Sequence, residues 1–192
     1  MNFTKRLPLF ETLLVIVVLS VHFYAAFSDA YNFPNAWFVR DDAYYYFKVA
    51  QNITEGLGST FDGINPTNGY HPLWMLVCIP VFFFARYDLI LPLRILLMII
   101  WVLNAATAII IYRLVKGNLS HAVAVVAASF WAFSTKIYMT VYMPGLETPL
   151  AAFAIALLIY KLSQFEKTWR TTSATRSVCF STCSSRSTSP TR

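Results

Sequence analysis

Charged side chains are scarce in this chain of 192 residues. Asp, Glu, Lys and Arg together make up 12% of it, whereas hydrophobic residues make up 57%. A soluble domain needs more charge on its surface, so this composition and a mean hydropathy of +0.55 exclude that class. The sequence predicts an all-α polytopic membrane protein.

Cysteine is also rare. Cys78 lies in an apolar run, and Cys179 and Cys183 lie in a polar tail, so the three do not form a disulfide framework. The net charge is +6, but much of the basic excess lies in the last 31 residues. The charge therefore gives no reason to expect a nucleic-acid partner, and membrane lipid is the partner that the composition predicts.

Four apolar stretches are predicted to span a bilayer, which requires roughly 20 residues per helix. They cover about residues 7–27, 91–112, 121–142 and 149–165. Lys5 and Arg6 precede the first stretch, which places the N-terminus in the cytoplasm by the positive-inside rule. A cleaved signal peptide ending near Ser28-Asp29-Ala30 is the alternative interpretation of that stretch.

A fifth apolar segment, 72–85, has 14 residues. As a helix it extends about 21 Å, which is short for a hydrocarbon core about 30 Å thick. We therefore expect this segment to be re-entrant or interfacial. The basic residues that follow the second and fourth spans then face the cytoplasm, and Asp41, Asp42 and Glu147 share the extracytoplasmic face.

Asp41 and Asp42 are two adjacent carboxylates just beyond the first span, where ionisable residues are costly and suggest a functional site. A surface helix is predicted from about 43 to 55, ended by Gly56 and Gly58. Capping of this helix by Asp42 is the alternative explanation of that acid. One apolar face of the helix is formed by Tyr46, Val49, Ala50, Ile53 and Leu57.

Further polar groups lie in the loop 63–72, where Asn68, Tyr70 and His71 can hydrogen-bond a polar ligand. Each candidate also has a structural explanation. His71 fits a hydrogen-bonded loop histidine, and Glu147 fits a first-turn acid of the last predicted span. Arg94, at the outer boundary of the second span, fits an interfacial anchor or an anion ligand.

Together these groups suit the transfer of a group from a phosphate-bearing donor, which needs a base near the acceptor, stabilisation of a cationic transition state and neutralisation of the phosphate. Asp41 or Asp42 is the candidate base, kept ionised at a helix N-terminus. Glu147 is predicted to orient the acceptor or to hold a divalent cation with Asp42. His71 or Arg94 is predicted to meet the donor phosphate.

Three motifs carry a family resemblance: DDAYYY at 41–46, NGYHPLW at 68–74 and GLETPL at 145–150. In order and spacing they resemble the N-terminal part of a GT-C membrane glycosyltransferase, similar to the dolichyl-phosphate-mannose–protein mannosyltransferase-like group. The resemblance covers roughly residues 7–165. It implies a polyprenyl-phosphate-linked sugar donor and a bipartite acidic site, and it slightly favours Asp41 as the base.

The chain divides into a membrane part, 1–165, and a Ser/Thr/Arg-rich tail, 166–192, predicted to be disordered. The tail is either regulatory or an out-of-frame extension. Relatives of the GT-C type have further spans, so we expect the 192-residue form to be inactive alone. A non-catalytic membrane protein or an inactive gene fragment is the alternative. A transporter fragment is less favoured, because it would place its charges at mid-membrane depth.

Overall fold

The computed structural model describes residues 9–27 and 41–186, and every regular element in these ranges is helical. The predicted all-α class is therefore confirmed for this part of the chain. Residues 1–8, which include Lys5 and Arg6, lie outside the described residues. The helices are α1 (Leu9–Ala26), α2 (Asp41–Thr54), α3 (Pro72–Phe84), α4 (Leu91–Lys116), α5 (His121–Phe133), α6 (Thr135–Ile137), a π-helical turn (Tyr138–Tyr142) and α7 (Thr148–Arg186).

Two helices in the described ranges are long and apolar enough to cross a membrane, namely α4 and the Thr148–Arg170 part of α7. A third crossing is possible if α5 and the segment Thr135–Tyr142, which meet at a 41° bend, form one span. The apolar parts of α1 and α3 are shorter. These lengths are compatible with an integral membrane protein.

The helix bounds differ from the predicted ones in two places. The stretch predicted as one span over 121–142 is broken, because Ser134 adopts an extended backbone (φ −69°, ψ 121°) that ends α5. The last helix, α7, runs as far as Arg186 and so includes most of the segment predicted to be disordered. Once a helix is nucleated in an apolar span, each added residue gains one hydrogen bond, which favours its continuation.

The core is centred on α4, which packs against α1, α3, α5 and α7. Its large side chains Leu96, Leu97, Ile100 and Trp101 are almost completely buried. They belong to one apolar cluster that also contains Trp74 of α3 and buried residues of α2. Because α4 contacts nearly every other long helix, it fixes which helix ends lie together.

Polar contacts mark the end of the bundle where α4 finishes. The Arg113 guanidinium of α4 donates to the Glu11 carboxylate near the start of α1, with Nε 3.1 Å from Oε2. In the same region Lys167 Nζ of α7 donates to the Gly117 carbonyl at 3.0 Å. The start of α1, the end of α4 and the middle of α7 therefore share one end, and the start of α7 lies towards the other.

The short helix α3 lies alongside α2. At its start, the His71 backbone N–H donates to the Tyr46 hydroxyl at 2.9 Å. Towards its other end, the rings of Phe82 and Phe47 have centroids 5.8 Å apart. Both ends of α3 are thus in contact with α2, which is the helix that carries Asp41 and Asp42.

The loop after α2 is held by a buried amide. Asn52 is 1% exposed, and its Nδ2 donates to the carbonyls of Thr60 and Phe61, both at 3.0 Å. The predicted end of α2 is confirmed, because Gly56 and Gly58 have φ values of 85° and 71°, a region that favours glycine. This anchored loop leads from α2 to His71, which directly precedes α3.

Candidate functional site

Glu147 is the centre of a polar cluster with His71 and Tyr46. Its Oε1 lies 3.3 Å from His71 Nε2, and its Oε2 accepts a 3.4 Å hydrogen bond from the Tyr46 hydroxyl. The Glu147 side chain is 27% exposed and that of His71 is 67% exposed. The carboxylate is therefore oriented by two partners, while the imidazole remains open to a ligand.

The Tyr46 hydroxyl, on α2, contacts both His71 before α3 and Glu147 before α7. The Tyr46 ring belongs to the buried face of α2, as the helical spacing predicts. Burial raises the pKa of the Tyr46 phenol above its ordinary value, and the neighbouring Glu147 raises it further. The phenol is therefore protonated near neutral pH. It accepts from the His71 backbone and donates to the carboxylate.

Local backbone geometry places Glu147 at the edge of the helix bundle. Gly145 has a φ of 73°, which lets the chain turn sharply after the π-helical turn. Thr148 Oγ1 then donates to the Val141 carbonyl at 2.7 Å and closes the turn. The Glu147 carbonyl accepts from Ala151 N–H at 2.9 Å, so Glu147 directly precedes α7. Its backbone thus starts the last helix, while its side chain contacts His71 and Tyr46.

Asp41 and Asp42 both lie in the exposed first turn of α2. Asp42 is four residues from Tyr46, and residues at this spacing are neighbours on a helix surface. Within the described part of the chain, no hydrogen bond or ion pair joins either aspartate to Glu147. The predicted approach of Glu147 to the acidic pair remains a prediction.

Asp41 instead lines a cavity of about 410 Å³, which we call the α2 cavity. It lies between α2, the loop after it, the end of α3 and the start of α4. The buried residues of its apolar lining are Phe47, Phe82, Ala85, Pro92 and Leu93. The remaining lining residues are Tyr44, Tyr45, Lys48, Gln51, Phe61, Arg86, Asp88 and Leu89.

Two predicted ligand-binding residues occupy the loop before α3. The Tyr70 hydroxyl lies 2.7 Å from Ser59 Oγ, so part of its hydrogen-bonding capacity serves the loop. The Tyr70 ring centroid is 6.4 Å from that of Tyr46, which keeps it beside the cluster. Asn68 is exposed and could meet a ligand from outside.

Arg94 lies in a different place. Its guanidinium carbon is 5.5 Å from the ring centroid of Phe27 at the end of α1. It lines an apolar groove of about 320 Å³, together with residues of α4. The two predicted phosphate ligands, His71 and Arg94, therefore line different surfaces.

The acidic and imidazole groups do not assemble into a metal cluster among the described residues, where no group of three or more His, Cys, Asp or Glu side chains is suited to hold a metal ion. Glu147 and His71 could supply two ligands. A divalent cation held by Asp42 and Glu147 stays a prediction.

Three residues of these sites were not singled out from the sequence. Tyr46 was assigned only to the apolar face of the helix. Helical periodicity predicts that its ring is buried, but it does not predict which groups its hydroxyl contacts. Lys48 and Arg86 lie 38 positions apart in the sequence, so their spacing does not indicate that they line one cavity. The DDAYYY motif is the one signal that pointed to Tyr46.

No protein-family model, curated protein or solved structure matches the chain.

Proposed function

We propose that the chain carries the acidic site of a GT-C-like membrane glycosyltransferase, which transfers a sugar from a polyprenyl-phosphate-linked donor to an acceptor on the extracytoplasmic face. The observation that supports it is the contact between Tyr46, His71 and Glu147. Each of the three motifs that carry the resemblance contributes one of these residues. Segments separated by up to 101 residues thus meet at one polar cluster.

In this proposal the oriented carboxylate of Glu147 holds a hydroxyl of the sugar or acceptor, and His71 meets the donor phosphate. The general base is one of the adjacent aspartates. The resemblance slightly favours Asp41, which lines the α2 cavity, whereas the position of Asp42 one helical turn from Tyr46 favours Asp42. The base takes the acceptor proton as the acceptor attacks the anomeric carbon and the phosphate leaves.

The proposal includes a topology with four spans and a cytoplasmic N-terminus, in an integral membrane protein that lies in the plasma or inner membrane if the cell is bacterial. Helix α1, helix α4, the α5–Tyr142 segment and the first part of α7 cross the bilayer, and α3 does not. The contacts of both ends of α3 with α2 support this arrangement. So does the Glu11–Arg113 pair, which puts the start of α1 and the end of α4 on one side.

Binding of the donor tests the function without requiring turnover. The purified chain in detergent is titrated with a radiolabelled polyprenyl-phosphate sugar, and we expect saturable binding that Glu147→Gln weakens about tenfold, since charge-assisted hydrogen bonds contribute about 1.5–3 kcal/mol. The matched control is Glu166→Gln, because Glu166 is an exposed acid of α7 that pairs only with Arg170 in the described part of the chain.

A non-catalytic membrane protein predicts a different result. Such a protein would bind the sugar-bearing lipid no better than the same lipid without sugar, and Glu147→Gln would behave like its control. Circular dichroism and gel filtration of both variants distinguish this outcome from a loss of fold.

A further inference from the structure

The α2 cavity carries four charged groups that the glycosyltransferase proposal does not use together. Two are cations, Lys48 and Arg86, and two are carboxylates, Asp41 and Asp88. In the described part of the chain none of the four forms an ion pair. The cavity therefore presents charges of both signs to a ligand.

Asp88 is committed to the protein itself. Its Oδ1 accepts from the backbone N–H groups of Ile90 and Leu91, at 2.7 and 2.9 Å. These two bonds lower the pKa of the Asp88 carboxyl below its ordinary value, so it remains charged while it caps α4. Asp41 is then the carboxylate of the cavity that is left for a ligand.

Arg86 is held at the rim by aromatic rings. Its guanidinium carbon lies 4.7 Å from the ring centroid of Tyr87 and 5.9 Å from that of Phe83. One Nη also donates to the Tyr87 hydroxyl at 2.5 Å. A guanidinium has five N–H donors, so most of them remain for an anion.

The surroundings of the cavity are apolar. Its interior is formed in large part by aromatic and aliphatic side chains. The end of α3 and the turn that follows it expose Phe84, Tyr87 and Leu89 by 81%, 87% and 85%. Aromatic and cationic side chains together are typical of the membrane–water interface. A lipid can therefore reach the cavity from the side with its chains still in an apolar environment.

Opposite charges also lie in register along α2. Asp41 and Lys48 are seven residues apart, which is about 10.5 Å along the axis and two turns, so they share one face of the helix. Tyr44 and Tyr45 lie between them in sequence and line the same cavity. Their rings can pack against a cation near Asp41.

We propose that the α2 cavity binds the head group of a zwitterionic phospholipid bearing a primary amine, with its phosphate at Lys48 and Arg86 and its ammonium at Asp41. Phosphatidylethanolamine has this chemistry. The proposal does not require sugar transfer, because the cavity lies on a different face of α2 from the Glu147 cluster. It assigns Asp41 to the lipid and leaves Asp42 as the candidate base.

Competition against a phosphatidylethanolamine that carries its fluorophore on an acyl chain, which leaves the amine free, tests this on the full chain in detergent. We expect phosphatidylethanolamine to compete about tenfold better than phosphatidylglycerol, which has the phosphate but no amine. Asp41→Asn should abolish that preference, and Asp41→Glu should restore most of it. Lys48→Gln and Arg86→Gln should weaken the binding of both lipids.

The controls lie on other faces of the molecule. Asp42→Asn changes the adjacent carboxylate, and Lys136→Gln changes an exposed cation after α5. Neither should alter lipid preference. The proposal is overturned if phosphatidylglycerol competes as well as phosphatidylethanolamine, if Asp42→Asn has the same effect as Asp41→Asn, or if neither lipid competes. Donor binding at Glu147 is measured separately, so either result can fail alone.

Discussion

The Tyr46 hydroxyl links a backbone amide of one motif to a carboxylate of another. Tyr46→Phe removes both hydrogen bonds and leaves the ring. We expect the free energy of unfolding to fall by about 1 kcal/mol or somewhat more, since the His71 amide loses its partner. Donor binding should weaken too, because Glu147 loses one of the two partners that orient it.

Thermal unfolding in detergent measures the first effect, and the donor titration measures the second. Tyr44→Phe is the matched control, because Tyr44 lies on the same helix but is 40% exposed. Equal effects of the two substitutions would contradict the role of Tyr46.

Asp62 supplies a pH-dependent prediction in the loop after α2. Backbone N–H groups of Asn65 and Ile64 donate to its carboxylate, which lowers the pKa of Asp62 from 3.8 to about 2. A lowered pKa means that its contribution to loop stability is complete above pH 3.8 and is lost as the pH falls through about 2. A carbon-13 NMR titration of the Asp62 carboxyl should have its midpoint near 2, and a midpoint near 3.8 would be inconsistent with these bonds.

Single residues were partly predictable. Glu147 and His71 were identified from their motifs, and the structure brings these two together. Their common neighbour Tyr46 was not singled out as a polar residue of the site. A hydroxyl on an apolar helix face finds its partners through tertiary packing, which periodicity does not report.

At the scale of elements, the buried amide of Asn52 holds the loop that leads from α2 to His71. Asn52→Ala leaves the carbonyls of Thr60 and Phe61 without this donor. We expect a loss of about 1–3 kcal/mol in stability and faster proteolysis of the loop. The control is Asn118→Ala, which removes an exposed amide and should change stability by less than about 0.5 kcal/mol. A similar loss in both variants would count against the anchoring role.

The position of α3 relative to the membrane is the second prediction at this scale. Because both ends of this 13-residue helix contact α2, we expect reporters fused after Arg86 and after Lys116 to lie on opposite sides, with Arg86 outside. A cytoplasmic reporter at Arg86 would mean that α3 crosses and that another apolar segment does not.

Helices could be predicted from the sequence where an apolar run is also long enough to cross a membrane, as in α4. The break at Ser134 was missed, because the run from 121 to 142 is apolar on both sides of it and hydropathy alone does not report backbone geometry. The helix α2 was found from its periodicity, although it begins at Asp41 and not at 43.

At the scale of the whole molecule, two polar clusters lie towards opposite ends of the helix bundle. Arg113 and Glu11 form an ion pair at one end, and the Glu147 cluster lies near the start of α7, towards the other. A common face for the acidic motifs was predicted from charge asymmetry and from the parity of the spans, and it stays a prediction. Charge asymmetry and span parity could not predict the side chains that contact Glu147, because those contacts depend on how α2 and α3 pack in the bundle.

One cross-linking measurement tests both the assembly of the site and its face. Cysteines replace His71 and Glu147 in a chain whose native cysteines are changed to serine, and a short membrane-impermeant bifunctional reagent is added to intact cells from outside. Since these side chains are 3.3 Å apart in the protein, we predict a cross-link between positions 71 and 147. A cross-link that forms only when the reagent reaches the cytoplasm, or none from either side, would contradict an extracytoplasmic site built from these motifs.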